Sequence, residues 1–417
     1  MRDVFDGRML RVAVIGAGQA GLSAAYYLAA RGLEPWRDLV VLDANDGPGG
    51  AWRHRWDSLT FDRAHAIHPL PGAPLETPDP QEPANRVVPR YYGDYERRFA
   101  LPVLRPVTVT AVTHDDGGFT VHTDRGPVAA ASVISATGSW DSPYLPHYPG
   151  IERFTGRQLH THDYRSAEEF RGQRVLVVGG GTSAAQAVQE LHTHGAEPVW
   201  STRRTPQWTR RVFDEDWGLN VERSVSARTR QGLPPLSVSA ATGLPLTDVY
   251  LPDIASRLLV SRGPIVRFTE HGVVLDGPGP DGFGRPDQGE AEALVGAAPA
   301  LPGVPTTGPS SRSAVPERGA QRRDEGRSGT SLWETPIDAV LWATGFRAHL
   351  PHLRGLGIRE RSGGIIMADD GVTVVKLPGL YLAGYGSSAS TLGATRAGRK
   401  AAMAALRFAR ERDEAAA

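Results

Sequence analysis

Residues 154–204 read FTGRQLHTHDYRSAEEFRGQRVLVVGGGTSAAQAVQELHTHGAEPVWSTRR. The second half runs from an apolar stretch, Arg174 to Val178, through glycines 179–181 into a helix-like stretch, Thr182 to Thr193, and a second apolar stretch ending at Ser201. This order is typical of a mononucleotide-binding βαβ unit. Glycine suits the turn because backbone amides must approach a pyrophosphate without a Cβ in the way. The stretch therefore predicts a dinucleotide site.

A second copy of this pattern stands at the start of the chain. The apolar run Leu10 to Ile15 enters a turn containing Gly16, Gly18 and Gly21, and Asp43 follows a second apolar run. Asp43 lies about 20 residues after the last glycine, where an acid that hydrogen-bonds an adenosine ribose is expected. A lone GxGxxG also occurs in ordinary turns, but the strand, helix, second strand and acid around this one favour a dinucleotide site.

The two copies differ in charge at the ribose position. The second carries Arg203 and Arg204 where the first carries its acid. Guanidinium groups suit a ribose 2′-phosphate, which a carboxylate would repel. The second site is therefore expected to prefer NADPH, and the first a cofactor with a free 2′-hydroxyl. The alternative for the two arginines is a solvated basic strand end.

Two Ala-Thr-Gly triplets each follow a further apolar run. Thr137 and Gly138 end the stretch SVISATG, and Thr344 and Gly345 end VLWATG. Each turn is expected to line a cofactor or the crossover between domains, because small residues after a buried strand permit close backbone approach. One such triplet carries little information. Two, each placed after a dinucleotide unit, support one another.

Composition excludes several classes of protein. The 417 residues contain 46 basic and 46 acidic side chains, so net charge gives no argument for binding nucleic acid or an anionic membrane. The sequence has no cysteine, which excludes thiol redox pairs, disulfides and thiolate metal ligands. We find neither a signal peptide nor an apolar run of the ~18 residues that span a membrane. The length favours two or three domains, and we expect a cytoplasmic protein.

Several segments between the two units have weaker signals. Gly49-Gly50 lets the backbone pass close to a ligand, and Trp52 offers either a flat face to it or a core aromatic ring. His65 to Asn85 is rich in proline, which predicts a covering loop. Arg90 to Phe99 predicts a helix with an aromatic face. Three short strands are expected for a small antiparallel addition, at Val107 to Val112, Phe119 to Thr123 and Val128 to Ser135.

The later part of the chain is less regular. Trp208, Phe213 and Trp217 form an aromatic group to which we assign no chemistry, and Gly277 to Thr330 is so rich in glycine and proline that we expect a flexible insertion. A last strand ends at Gly384. The terminal helix beginning near Thr391 points its positive end toward an anionic ligand such as a reduced flavin. His160 and His162, spaced i and i+2, do not converge on one metal, and no metal site is expected.

The ordered motifs resemble the flavin-containing monooxygenases. Phe154, Gly156, His160 and Tyr164 match the family's identifying motif, which stands between two glycine turns with an Ala-Thr-Gly triplet further on. The resemblance covers nearly the whole chain apart from the insertion. It implies an α/β fold with two Rossmann-type domains and the cofactors FAD and NADPH. The implied FAD contacts are Gly16, Gly18, Gly21, Asp43, Gly50 and Trp52, and the implied NADPH contacts are Gly179, Gly181, Ser183, Arg203 and Arg204.

Three departures qualify the resemblance. The asparagine that many members place near the flavin corresponds to Asp62, in the run SLTFDRA, which makes Asp62 the candidate catalytic residue. The motif ends in Tyr164-Arg165, whereas related Baeyer-Villiger enzymes end in Trp-Pro, and this favours the heteroatom-oxidising branch. The segments RWDSL and STRR are most similar to bacterial CzcO-like flavoproteins, whose substrates are mostly unassigned.

The resemblance implies a monooxygenase in which NADPH reduces FAD, O₂ forms a C4a-hydroperoxyflavin, and one oxygen passes to a small organic substrate. An NAD(P)H-dependent reductase or oxidase acting on a quinone or other acceptor is the alternative, and a nucleotide-sensing protein without turnover is a third reading. His160 and Tyr164 are expected to hold the domain junction. We expect a discontinuous FAD domain, residues 1–155 and 338–417, with the NADPH domain, residues 156–337, inserted. A homodimer is left open.

Overall fold

Two β-sheets, one mixed and one fully parallel, are joined by a pair of linkers in the computed structural model of this chain. The model describes residues 7–64, 67–209, 223, 225–235, 243–277, 279, 332–386 and 391–416. Each sheet holds one of the glycine turns at the carboxyl end of a strand. The predicted α/β fold with two dinucleotide-binding units is confirmed by this architecture.

The first sheet has seven strands, and its buried centre is formed by β1 and its neighbours. Strands β1, β2, β3, β6 and β16 run parallel, while β4 and β5 continue the sheet as an antiparallel addition. All residues of β2 and all but one of β1 are buried, as expected of parallel strands covered on both faces. The strands are β1 (Leu10–Ile15), β2 (Leu39–Leu42), β3 (Val103–Leu104), β4 (Val109–Asp115), β5 (Gly118–Thr123), β6 (Val128–Ser135) and β16 (Leu380–Leu382).

Helices α1 (Gln19–Ala30) and α5 (Thr391–Ala416) pack against each other beside the first sheet. Gly398 makes the contact close, because a Cβ there would lie 2.3 Å from the carbonyl oxygen of Ala20. The hydroxyl of Ser23 donates to the carbonyl oxygen of Thr395 at 2.8 Å. The first and last thirds of the chain are thus joined by backbone proximity.

The second sheet has four parallel strands in the order β7-β15-β8-β9. Helix α3 (Thr182–Thr193) follows β8 and buries alanines, Val188 and Leu191. The strands are β7 (Arg157–His160), β8 (Arg174–Val178), β9 (Glu197–Ser201) and β15 (Ala339–Trp342). A small antiparallel sheet and further short elements complete this half: β12 (Ile265–Phe268), β13 (Gly272–Asp276) and β14 (Leu332–Pro336), with β10 (Trp208–Thr209), β11 (Leu244–Pro245) and α4 (Leu251–Ala255).

Strand β15 lies just after the start of the expected return to the first domain, at residue 338. It pairs with β7 on one side and β8 on the other, so residues 339–342 lie inside the second sheet, whereas the sequence-based division placed everything from residue 338 in the first domain. The return to the first sheet follows Trp342. Strand β15 belongs to this sheet because of its hydrogen bonds: it is the strand that pairs with β7, which has no other partner there among the described strands.

The two linkers between the sheets pair as a short antiparallel ribbon, which we call the linker ribbon (residues 142–144 and 345–347). Pro143 lies opposite Phe346 in a β-bridge. The amide of Tyr144 donates to the carbonyl of Gly345 at 2.9 Å, and the amide of Arg347 donates to the carbonyl of Ser142 at 2.8 Å. The two sheets are therefore connected by a double strand.

Some local predictions differ from the structure, and others lie outside the described residues. The helix expected from Arg90 begins earlier, as α2 (Ala84–Arg98), and accommodates Pro89 in its second turn. Residues 277 and 279 of the expected insertion are described, and the rest of it lies outside the described residues, as do Phe213 and Trp217. Trp208 is buried in β10. Among the helices that the structure describes, none is long and apolar enough to cross a bilayer.

Replacing Gly398 by alanine should destabilise the protein by about 2 kcal/mol, because the added methyl would overpack the contact between α1 and α5. The free energy of unfolding from urea titration measures this. Gly355→Ala is the matched control, since a Cβ at Gly355 meets no atom within 4 Å. Equal stability of the two variants would contradict the close packing.

Candidate functional site

The first candidate site is a cradle of backbone in which glycines from separate segments meet. A Cβ on Gly16, whose φ is +99°, would lie 2.6 Å from the carbonyl oxygen of Ala136, and one on Gly50 would lie 3.0 Å from Cα of Gly18. A Cβ on Gly384 would lie 3.7 Å from Cα of Gly138, which is an ordinary van der Waals contact. We call this group of five glycines the first cradle. It lies at the carboxyl ends of β1, β6 and β16, where a parallel sheet binds ligands.

Two helix amino ends lie side by side at this cradle. Gln19, the first residue of α1, donates from Nε2 to Oγ1 of Thr395 in the first turns of α5, at 2.9 Å. The positive ends of two helix dipoles thus meet beside Gly16 and Gly18, which suits a diphosphate. Thr391 is the first helical residue of α5, and Gly21 lies within α1, where a Cβ would clash with the carbonyl of Gly16.

The second glycine turn repeats the contact of the first. A Cβ on Gly179 would lie 2.1 Å from the carbonyl oxygen of Ala343, as one on Gly16 would crowd Ala136. The indole of Trp200 in β9 donates to the carbonyl of Gly179 at 2.7 Å and holds the turn from the other side. Gly181 is the N-cap of α3, and Ser183 lies in its first turn. We call Gly179, Gly181 and Ala343 the second cradle.

The threonines of both triplets bind the opposite linker. The hydroxyl of Thr137 donates to the carbonyl of His349 at 2.5 Å, and that of Thr344 donates to the carbonyl of Tyr144. In the described geometry, these hydroxyls join the linkers that carry the cradles. Gly138 and Gly345, at φ +65° and +76°, have open space where a Cβ would stand.

Asp43 has protein partners at the end of β2. The residue is 4% exposed, and its carboxylate accepts a hydrogen bond from Nε of Arg105 at 2.7 Å and another from Asn45 at 3.2 Å. Arg105 also makes a bidentate pair with Glu96, at 2.6 and 2.7 Å. Burial opposes the charge of Arg105, but its bonds to Glu96 and Asp43 outweigh burial and raise its pKa. Sequence reasoning found Asp43 and missed Arg105, because their pairing depends on β3 lying beside β2.

The arginines expected to bind a 2′-phosphate lie in the turn after β9. Arg203 and Arg204 are exposed, whereas the preceding Ser201 and Thr202 are buried. Residues 261–263 pack along this strand end: Thr202 donates to Oγ of Ser261 at 2.7 Å, and the amide of Arg262 donates to the carbonyl of Trp200 at 2.8 Å. No sequence signal marked this second segment as part of the site.

The residues of the identifying motif lie in the junction between the two sheets. His160 is 3% exposed; its Nδ1 accepts from the amide of His162 at 3.0 Å, so Nε2 carries the proton and donates to the carbonyl of Gly345 at 3.1 Å. Tyr164 is buried against Trp56, with ring centroids 5.7 Å apart. A Cβ on Gly156 would crowd the carbonyl of Asp338. These contacts agree with the expectation that His160 and Tyr164 hold the junction.

Comparison with known proteins identifies the family. Residues 13–237 match the family model described as pyridine nucleotide-disulphide oxidoreductase. The structure is similar to that of a flavin-containing monooxygenase from Stenotrophomonas maltophilia, with 30% identity and a TM-score of 0.70 over 95% of this chain and 98% of that one. This chain belongs to the flavin-containing monooxygenase family. As its sequence contains no cysteine, this flavin-containing monooxygenase lacks the thiols that the name of the family model implies.

Curated relatives agree with this assignment. The rice protein named indole-3-pyruvate monooxygenase YUCCA1 is 28% identical over 387 residues, which cover 89% of this chain and 86% of that protein. An uncharacterised oxidoreductase, CzcO from Bacillus velezensis, is 29% identical over 206 residues, and the match spans 47% of this chain and 59% of that relative. The expected resemblance is confirmed.

Members of the flavin-containing monooxygenase family use FAD and NADPH, and this chain is a flavin-dependent oxidoreductase with those cofactors. Its residues fit them. The first cradle presents bare backbone and two helix amino ends to a diphosphate, in space that side chains would fill if the glycines were replaced. The second cradle repeats the glycine contact and places two exposed arginines at the end of the next strand.

The remaining candidate, Asp62, lies in the covering loop. It is exposed; its carboxylate accepts hydrogen bonds from Thr60 and, at 3.1 Å, from Nε2 of Gln81, while its amide donates to the carbonyl of Pro80. These bonds fasten one part of the loop to another. The catalytic role of Asp62 stays a prediction. Within the described ranges, no three His, Asp or Glu side chains group as metal ligands.

Lowering the pH should reduce the free energy of unfolding of this flavin-containing monooxygenase through His160. Burial lowers the pKa of His160 to about 4, whereas an unfolded histidine titrates near 6.5. Between those values the unfolded chain takes up a proton that the folded chain does not, so stability falls as pH decreases from about 6.5 to 4. We expect His160→Gln to remove about 1–2 kcal/mol of the difference in unfolding free energy between pH 7 and pH 5.

Chemical denaturation at the two pH values measures this effect. His271→Gln serves as the control, because the side chain of His271 is 76% exposed. A His160→Gln protein with the same pH dependence as the wild type would show that His160 is not held neutral by the fold.

Proposed function

We propose that the protein oxygenates a small organic substrate, using NADPH as the electron donor and one atom of O₂. The observation that carries this proposal is the repeated contact of a glycine turn with an Ala-Thr-Gly triplet, at Gly16 with Ala136 and at Gly179 with Ala343. Because the linker ribbon joins the two triplets, the two cradles lie on opposite sides of one short junction. Two dinucleotides held there have a common crevice for hydride transfer and substrate.

The cofactor sites follow from the two cradles. We assign FAD to the first cradle with Asp43, Trp52 and Thr391 beside it, and NADPH to the second cradle with Ser183 and the arginine pair. Residues 1–155 together with 343–417 would form the FAD domain, and residues 156–342 the NADPH domain. The full FAD set is Gly16, Gly18, Gly21, Asp43, Gly50, Trp52, Thr137, Gly138, Gly384 and Thr391. The NADPH set is Gly179, Gly181, Ser183, Arg203, Arg204, Thr344 and Gly345.

The chain's own residues serve this chemistry by binding, orienting and excluding water. Bound FAD accepts hydride and activates O₂, so no side-chain acid or base is required. Trp140 and Phe346 stack at the junction with ring centroids 5.0 Å apart and supply an apolar wall. His160 is neutral, and its Nε2 hydrogen is bonded to the carbonyl of Gly345. His160 therefore offers no proton to the crevice.

The names of the relatives favour oxygen insertion over the alternative of a plain reductase or oxidase. The rice relative is named an indole-3-pyruvate monooxygenase, and the Stenotrophomonas structure is titled as a flavin-containing monooxygenase. The alternative uses the same two cradles and differs only in whether oxygen reaches an organic product. The two functions are therefore distinguished by whether the electrons of NADPH end in an oxygenated product or in hydrogen peroxide.

We expect that a true substrate will couple NADPH oxidation by the purified yellow protein to oxygenation of that substrate. Indole-3-pyruvate, organic sulfides and tertiary amines form a first panel. A substrate should lower the fraction of NADPH electrons recovered as hydrogen peroxide and should acquire one oxygen from ¹⁸O₂, measured by mass spectrometry. Full recovery as peroxide with every compound would support the oxidase. A colourless protein that does not oxidise NADPH would support the nucleotide-sensing reading.

Substituting both Arg203 and Arg204 by alanine should weaken NADPH binding by roughly 10- to 100-fold and leave NADH binding nearly unchanged, because only NADPH carries the 2′-phosphate. Fluorescence titration of each nucleotide measures this. Arg157→Ala is the control, since Arg157 pairs with Glu169 on the surface of the same domain. An equal loss for both nucleotides would exclude the phosphate assignment.

Two expectations about the protein's surroundings stay predictions. They are a cytoplasmic location and the choice between a monomer and a homodimer, which the sequence left open. Fractionation of cells that express the protein tests the first, and light scattering of the purified protein tests the second.

A further inference from the structure

The guanidinium of Arg55 lies among three tryptophans. Its Cζ is 4.4 Å from the ring centroid of Trp140, 5.7 Å from that of Trp52 and 5.9 Å from that of Trp56. Trp56 and Trp140 are each only 6% exposed. We call Arg55 and these three rings the arginine cage.

Arg55 has no anionic partner among the residues that the structure describes. Its Nε is buried without a hydrogen-bond acceptor, and among the described residues no carboxylate acts on its charge. The nearby carboxylate of Asp57 is held by Nδ2 of Asn85 at 2.7 Å, and the same Nδ2 binds the carbonyl of Arg55 at 2.8 Å. By contrast, Arg53, two residues earlier, bonds to Asp46 and to the carbonyl of Pro48.

Without a ligand, an arginine in this position reduces the stability of the folded protein. Burial lowers the pKa of Arg55 to about 10, and no acidic group offsets that effect. Stacking on indoles stabilises a guanidinium, but it gives the buried Nε–H no hydrogen-bond acceptor. Polar groups buried without partners are rare in native proteins. When one occurs beside a ligand site, the missing acceptor is reasonably sought in the ligand.

The arginine cage lies where the first cradle meets the linker ribbon. Trp52 follows Gly50 by two residues, and Trp140 follows Gly138 by two. Two of the three tryptophans thus belong to segments that supply glycines to the first cradle. Trp140 also contacts His162 and Phe346, with centroid distances of 4.9 and 5.0 Å. The arginine cage therefore connects the segments that carry the first cradle with the junction between the two sheets.

We propose that Arg55 binds an anionic oxygen group of a ligand in this crevice, with the three tryptophans fixing its planar fork. A guanidinium fork matches phosphate and carboxylate oxygens, to which it donates two parallel hydrogen bonds. The oxyanion has two sources in this protein: the diphosphate of FAD, or a carboxylate on the organic substrate. The proposal rests on the assignment of FAD to the first cradle; flavin retained by the purified wild-type protein tests that assignment separately.

The experiment compares Arg55→Met and Arg55→Lys with the wild type in the full-length chain. Flavin-stripped protein is titrated with FAD and with riboflavin, which lacks the diphosphate. Protein loaded with FAD is titrated with benzoate and with neutral benzamide, and the flavin absorbance spectrum reports binding. Arg90→Met is the matched control, because Arg90 forms a bidentate pair with Glu82 on the surface.

Loss of a charged hydrogen bond should weaken binding of the oxyanion roughly 10- to 100-fold in Arg55→Met and less in Arg55→Lys. A loss for FAD but not riboflavin would identify the diphosphate, and a loss for benzoate but not benzamide would identify a carboxylate. Removal of an unpaired buried charge should also leave the thermal unfolding midpoint of the flavin-stripped protein unchanged or higher.

Three outcomes would overturn the proposal. In the first, neither anionic ligand distinguishes Arg55→Met from the wild type. In the second, FAD and riboflavin, or benzoate and benzamide, lose affinity equally. In the third, flavin-stripped Arg55→Met unfolds at a markedly lower temperature or does not fold, which would make the guanidinium a packing element of the arginine cage.

Discussion

The fold depends on one backbone contact that occurs twice. In each half of the chain, the first glycine of a nucleotide turn packs against the carbonyl of an alanine that directly follows the neighbouring strand, Ala136 for Gly16 and Ala343 for Gly179. Neither turn tolerates a side chain at that glycine, because the carbonyl occupies the space. The contact fixes how closely two parallel strands bring their carboxyl ends together, and thereby creates both cradles.

The junction between the two halves follows from this constraint. The residues after each alanine leave their sheet and pair as the linker ribbon, and Thr137 and Thr344 each bond to the linker opposite. His160 and Tyr164, the most recognisable polar residues of the family motif, pack into the same junction. The motif that identifies the family therefore stabilises the arrangement of domains, and the cofactors carry the redox chemistry.

Charge in the first cradle is arranged by contacts over long sequence separations. Asp43 shares its carboxylate with Arg105 and Asn45, and Arg105 is held in turn by Glu96. This buried network fixes the acid at the end of β2, while the guanidinium of Arg55, later in the same part of the chain, lies against three tryptophan rings. The carboxylate of Asp43 thus has partners within the protein, whereas Nε of Arg55 has none.

The sequence alone determined the two nucleotide units and their order, because a glycine turn between an apolar strand and a helix is set by local spacing. Leu10–Ile15, Arg174–Val178 and Thr182–Thr193 were predicted with the bounds the structure gives them. Tertiary structure decided the rest. It placed β15 between β7 and β8, gave Asp43 its partner Arg105, and brought Trp140 onto the guanidinium of Arg55. These features join residues distant in the chain, and local pattern carries no information about which strand will lie beside which.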